Sequence, residues 1–219
     1  TSDYMKYNWY IRPGAEAKIM KQVSGTVYAI EDTKAQTLPK LNYYSAKFQM
    51  PDDTRDLYER MKRHMVVGDV EAANEAVKSG KLRQIASGFL YYEDDGAADE
   101  HTDWLDVARL LAAHRWIDDL NGYKGIIFYE FVAQLEQLQL PLKTIAPGIV
   151  TTDLEEFKGE MLIPQILLAQ INSLSHGIDG LQDVCSDILF YQPMWSRDAT
   201  EQAVGRVWRQ GQTKPVNVT

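Results

Sequence analysis

The residues best suited to chemistry are two arginines near the end of the chain. They lie in Gln202-Ala-Val-Gly-Arg-Val-Trp-Arg-Gln-Gly-Gln212. Read as a helix, this stretch puts Gln202, Arg206 and Arg209 at i, i+4 and i+7, on one polar stripe. Val204, Val207 and Trp208 fall on the opposite side, which is apolar enough to pack down. A guanidinium offers a planar fork of donors, so two of them fixed on one face suit a phosphate. The plain alternative is a solvated charged stripe on a surface helix. Gly205 inside such a helix costs roughly 1 kcal/mol against Ala, which predicts a close approach to the backbone there. Gly211 can close the helix in a left-handed cap, and Pro215 stops it from resuming.

Two further stretches are candidates. Gln165-Ile-Leu-Leu-Ala-Gln-Ile171 reads as the strongest strand and runs into Asn172-Ser-Leu-Ser-His-Gly-Ile-Asp-Gly-Leu-Gln182. Small and polar residues after a central parallel strand mark the carboxyl edge of a sheet, where ligands bind in such folds. A plain strand-to-helix loop is the competing reading. From Glu93 to Asp106 there are seven acidic residues and no Lys or Arg. His101 with its neighbouring carboxylates, in Asp99-Glu100-His101 after the flexible Asp94-Asp-Gly-Ala-Ala98, could offer a metal site. A solvated acidic loop is the expectation. Gly80-Lys81 is no phosphate loop, because position 75 is Glu and position 82 is Leu.

The string Gln-x-x-Gly-Arg-x-x-Arg-x-Gly-Gln resembles motif VI of superfamily-two helicases. Its ending, followed by Lys214 and Pro215, looks most like the Swi/Snf-type ATPases and their phage relatives. Gly205 stands where Swi/Snf enzymes usually carry Asp, and Trp208 where they usually carry His; Gly205 agrees with the wider superfamily. The resemblance implies that Arg209 is an arginine finger, that Arg206 is its partner at the phosphates, and that Gln202 opens the motif at the nucleotide. The stretch after the strand at 165–171 resembles motif V. That likeness implies Ser173 and Ser175 at a DNA phosphate with His176 beside them. It also implies close backbone approach at Gly177 and Asp179 near the ATP ribose. The strand at 126–129 followed by the helix at 131–138 resembles motif IV. Leu57-Tyr58-x-x-Met61 and Leu82-Arg-Gln-Ile85 resemble the segments that lead into and underlie the second lobe of the same family.

These residues need elements to position them. Tyr44, Ala46, Phe48 and Met50 alternate with polar neighbours, which predicts a half-buried strand over 41–50. Pro51-Asp-Asp-Thr54 caps a helix carrying Leu57, Tyr58 and Met61. A second helix is expected over about 70–85. An amphipathic helix is expected over 104–120, with Leu105, Ala108, Leu111, Ala112 and Trp116 or Ile117 inward. Ile126-Ile-Phe-Tyr129 suits a strand buried on both faces of a parallel sheet. A helix follows from Phe131, then loop and turn over 146–152, and a short helix from Asp153. Asp187-Ile-Leu-Phe-Tyr-Gln192 and Pro215-Val-Asn-Val218 complete the strands. Ser196-Arg-Asp198 caps the helix of the arginines, and Trp195 is expected to pack. Residues 1–40 read as a lead-in: an aromatic cluster at Tyr4, Tyr7, Trp9 and Tyr10, then a helix over about 15–30 with Ile19, Met20, Val23 and Val27 on one side.

Composition narrows the class. The chain has 219 residues, 45% of them hydrophobic, and no apolar run long enough to span a bilayer. Cys185 is the only cysteine, so no disulfide can form within the chain, which fits a reducing cytoplasm; it is expected to be a small packed residue. A net charge of −8 argues against bulk attraction to nucleic acid, though not against a local basic groove.

The fold expected is α/β: a RecA-like parallel sheet flanked by helices over 41–219, preceded by a helical lead-in over 1–40 from a missing first lobe. The resemblance implies an ATP-dependent DNA helicase or translocase of phage type. ATP and magnesium would be held mainly by the N-terminal lobe, DNA would be the partner, and no membrane is involved. The alternative is a non-catalytic RecA-like module that binds nucleic acid or protein. A metal hydrolase built on His101 is a third reading.

Overall fold

The computed structural model describes residues 12–25, 38–68, 70–93, 100–171 and 179–219. The chain divides into two units, 1–37 and 38–219. In the first, α1 (Ala15–Val23) buries none of its residues, and Ile19 and Met20 are exposed. Val27 and the aromatic cluster at Tyr4 to Tyr10 lie outside the described residues.

The second unit is built on six parallel strands: β1 (Leu41–Tyr43), β6 (Gly125–Tyr129), β7 (Val150–Thr151), β8 (Ile166–Gln170), β9 (Asp187–Phe190) and β10 (Val216–Val218). Their order across the sheet is β1-β10-β9-β6-β8-β7. β6 sits between β9 and β8, and all five of its residues are buried, as its unbroken apolar run requires. Side chains alternate across a strand, so Ile126 and Phe128 serve one face of the sheet while Ile127 and Tyr129 serve the other.

The first face is covered by α6 (Leu154–Lys158), α7 (Leu181–Val184) and α8 (Arg197–Gly205), through Phe157, Leu181, Ala203 and Val204. The second face is covered by α4 (Ala108–Asp119) and α5 (Val132–Ile145), through Leu110, Ala113, Ile117, Leu138 and Leu142. The layout is the expected RecA-like sheet flanked by helices. A satellite core forms beside it. There α2 (Asp52–His64), the β2 (Val66–Val67) and β3 (Val70–Glu71) hairpin and α3 (Glu75–Ala86) gather Met61, Val67, Ala72, Ile85 and Leu90.

Several expected boundaries move. The strand over 41–50 shortens to β1, because only 41–43 pair with β10; Tyr44 donates once more to Val218, and Tyr44 and Ala46 are exposed. The helix over 70–85 begins only at Glu75, where the Asn74 side chain accepts from the amides of Ala76 and Val77; Val70 belongs to a hairpin. The helix over 104–120 begins at Ala108, and its inward face runs Leu110, Ala113, Ile117, leaving Leu111 exposed. Val150–Thr151, expected as loop, forms the edge strand β7.

The acidic stretch is not a loop throughout. β4 (Phe89–Glu93) pairs antiparallel with β5 (Glu100–Trp104). Leu90 faces Asp103 and Tyr92 faces His101, so the apolar strand carries the acidic one.

Candidate functional site

The stretch holding the arginines is helix only in part. Ser196 caps α8 by accepting from the Ala199 amide at 3.2 Å, as its position suggested. The helix ends at Gly205, and a chain of tight turns continues: Arg206 N–H donates to Ala203, Val207 to Val204, and Gln212 to Arg209. Arg206 and Arg209 are therefore carried by turns, not by one helical face. Val204 and Val207 are buried as expected. Trp208 is half-buried, and its indole donates to the Pro39 carbonyl at 2.8 Å. Outside its own helix, nothing among the described residues lies within 4 Å of where a Cβ on Gly205 would stand, so no close approach to that glycine is seen among them.

A buried glutamine fixes these turns. Gln212 donates to the carbonyls of Cys185, at 2.9 Å, and Val207, and its oxygen accepts from the amides of Thr213 and Lys214. That side chain ties the arginine turn to the start of β9. The sequence shows the residue but not the role, because a buried polar anchor leaves no periodicity.

Arg209 and Asp179 meet. The guanidinium donates to the Asp179 carboxylate at 2.9 Å, joining the turn after α8 to the residue pair before α7. Both side chains are accessible, 42% for Arg209 and 71% for Asp179. The same carboxylate oxygen accepts from the Gly180 amide at 2.9 Å. Gly180 has φ +85, and a Cβ there would stand 3.2 Å from Cε of Lys158, so this position favours glycine on both counts. Lys158 thus brings a second cation to the place, itself paired with Glu155 at 2.9 Å. Gln202 is exposed on α8, while Arg206 is half-buried and partnered. Ser173, Ser175, His176 and Gly177 lie outside the described residues.

A second polar assembly stands at the ends of β6 and β9. Arg83 on α3 forms a two-pronged ion pair with Glu130. Gln192 donates to Glu130 at 2.7 Å and accepts from Gln134 and Ser87, each at 2.8 Å. Ser87, Gln134 and Gln192 are all buried. The Arg83 guanidinium also faces the rings of Phe131 and Trp195. Trp195 is 77% exposed and does not pack as expected.

Nearby, a cavity of about 410 Å3 is lined by Tyr43, Tyr44, Phe48, Arg109, Tyr191 and Met194. Arg109 donates to the Ala86 and Tyr191 carbonyls and lies 4.8 Å from the Phe48 ring centre. Burial pushes its pKa down, against the pull of Tyr191 and Asp106. His101 stacks near Tyr92, and among the described residues no three His, Cys, Asp or Glu side chains gather as metal ligands. Among the described residues no helix is long and apolar enough to cross a membrane.

The six-stranded parallel sheet with helices on both faces is a RecA-like fold. The C-terminal part of the Fun30 ATPase domain superposes with TM-score 0.58 at 14% identity, over 83% of this chain and 84% of that one. The Sulfolobus solfataricus SWI2/SNF2 ATPase core in complex with dsDNA gives TM-score 0.51 at 15% identity, over 93% of this chain and 46% of that one. Among curated proteins, putative protein p41 of Acyrthosiphon pisum secondary endosymbiont phage 1 is 26% identical over 172 residues, 73% of this chain and 34% of that protein. DNA repair protein RAD5A of Arabidopsis thaliana is 28% identical over 130 residues, 55% of this chain and 13% of that protein. The chain thus spans well under half the length of either curated relative. No protein-family model matches it.

Proposed function

We propose that the chain is the C-terminal lobe of an ATP-dependent DNA helicase or translocase, with 1–40 leading in from an N-terminal RecA-like lobe. Arg209 acts as the arginine finger and Arg206 as its partner at the phosphates. Gln202, Gly177 and Asp179 line the nucleotide, and Ser173, Ser175 and His176 meet a DNA phosphate. The observation that carries this reading is the Arg209–Asp179 contact at 2.9 Å. It joins the two stretches whose residues match motifs V and VI, and it leaves a guanidinium on an accessible surface. Arg209, Arg206 and Lys158 are donors of the type that phosphate oxygens accept from. ATP and magnesium would be held mainly by the N-terminal lobe, and ATP supplies the phosphoryl group to be transferred. What this lobe contributes is positive charge placed against that group, together with the backbone turns that orient it. The DNA assignment leans on the Sulfolobus structure, whose ATPase core is in complex with dsDNA.

The test uses the full-length protein. DNA-stimulated ATP hydrolysis is expected to fall by about 10³-fold or more in Arg209→Ala, the loss typical of an arginine finger. The isolated 219-residue chain should release no phosphate above background. An Arg209→Ala variant that hydrolyses ATP at the parent rate removes the finger role, and a full-length protein with no DNA-stimulated hydrolysis leaves a non-catalytic RecA-like binding module as the better reading.

A further inference from the structure

We propose that Asp179 is a latch on Arg209: its carboxylate occupies the seat a phosphate oxygen takes, and the arginine is released in exchange for that anion. The inference rests on the reading of Arg209 as a phosphate-binding residue and changes what Asp179 does. The motif V resemblance put Asp179 near the ribose. In the structure it holds the finger itself.

Three observations carry the latch. One oxygen of Asp179 accepts both from the Arg209 guanidinium and from the Gly180 amide, each at 2.9 Å. A guanidinium and a backbone amide converging on one anionic oxygen is also how phosphate oxygens are bound. The carboxylate thus imitates the ligand. Second, the pair is open to solvent on both sides, so water and salt weaken it. It orients Arg209 without holding it against a more highly charged competitor. Third, Lys158 stands against Gly180, its Cε 3.2 Å and its Nζ 3.6 Å from the position of an added Cβ. An incoming polyphosphate that reaches past Gly180 therefore meets a second cation, Lys158, whose ion pair is with Glu155 at 2.9 Å.

The test titrates inorganic triphosphate into the 219-residue chain at low ionic strength and follows binding by calorimetry. Asp179→Asn keeps the size of the side chain and an oxygen for the Gly180 amide while removing the charge. It is expected to tighten triphosphate binding by about two- to fivefold, the weight of an exposed ion pair. Asp183→Asn removes the same charge from exposed Asp183 on α7 and is expected to leave the affinity unchanged. Arg209→Ala should weaken binding, and adding Asp179→Asn to it should restore nothing. The latch is overturned if Asp179→Asn binds no more tightly than the parent, if Asp183→Asn matches it, or if the gain survives without Arg209. Triphosphate binding that is indifferent to Arg209 would remove the phosphate reading itself, and the latch with it.

Discussion

At the scale of single residues, the arginine turn depends on Gln212. It is 8% exposed and makes four hydrogen bonds, two donated and two accepted. Gln212→Ala strands the Cys185 and Val207 carbonyls, and a buried polar group left without a partner costs about 1–3 kcal/mol. The expected outcome is a lower urea midpoint with an unchanged denaturant slope, which equilibrium unfolding measures directly. Arg206 and Arg209 could be singled out because their spacing and flanking string are distinctive in one dimension, but the turns that carry them could not. Arg83, Glu130 and Gln192 were not legible as a group. They are 47 and 62 positions apart from Glu130, and nothing local marks residues that only the fold brings together.

At the scale of elements, the β4–β5 hairpin shows why charge alone misleads. Seven acids over 93–106 suggested a solvated loop, yet 100–104 form a strand. Phe89 and Tyr91 supply the apolar partners that the acidic strand lacks, and β-propensity is mostly a matter of what lies across the ladder. The hairpin meets α3 at Gly88, where φ is +86 and an added Cβ would stand 2.4 Å from the Asp106 carbonyl oxygen. Gly88 also accepts from the amides of Leu105 and Asp106. Gly88→Ala combines backbone strain with overpacking and is expected to cost about 2–4 kcal/mol, read as a fall in the thermal midpoint. A midpoint within a degree of the parent would show that the turn relaxes freely. The shortened α8 follows the same logic. The periodic pattern ran on toward a cap at Gly211, but the regular helix stops at Gly205, a weak helix former.

At the scale of the whole molecule, the two faces of the sheet each carry a buried acid that would have to ionise at high pH. Cys185 belongs to the core on one face and Tyr191 to the core on the other. Burial pushes the Cys185 thiol well up, aided by Asp187 and opposed by Lys124. Burial likewise raises the Tyr191 phenol, opposed by Arg109 and aided by Asp106. A pKa raised on folding means the folded state keeps the proton longer. The stability is then fully present below the unfolded value and is lost as pH rises past it. Stability should be flat to about pH 8 and then fall by up to about 1.4 kcal/mol per pH unit, first from the thiol and above about pH 10 also from the phenol. Urea midpoints from pH 7 to 10.5 check this, with Cys185→Ala expected to flatten the first part of the fall. The sheet was legible because short continuous apolar runs such as 126–129 and 166–169 suit strands buried on both faces of a parallel sheet. The satellite core was less so, since its strands are two residues long and its helices share their apolar residues with a neighbour.

The assembly of Arg83, Ser87, Glu130, Gln134 and Gln192 has a mechanical consequence. It rivets α3 to the ends of β6 and β9 through side chains that share acceptors, so the bonds are loaded together rather than one after another. A pull on the satellite core therefore reaches the strand that feeds the arginine turn with little slack.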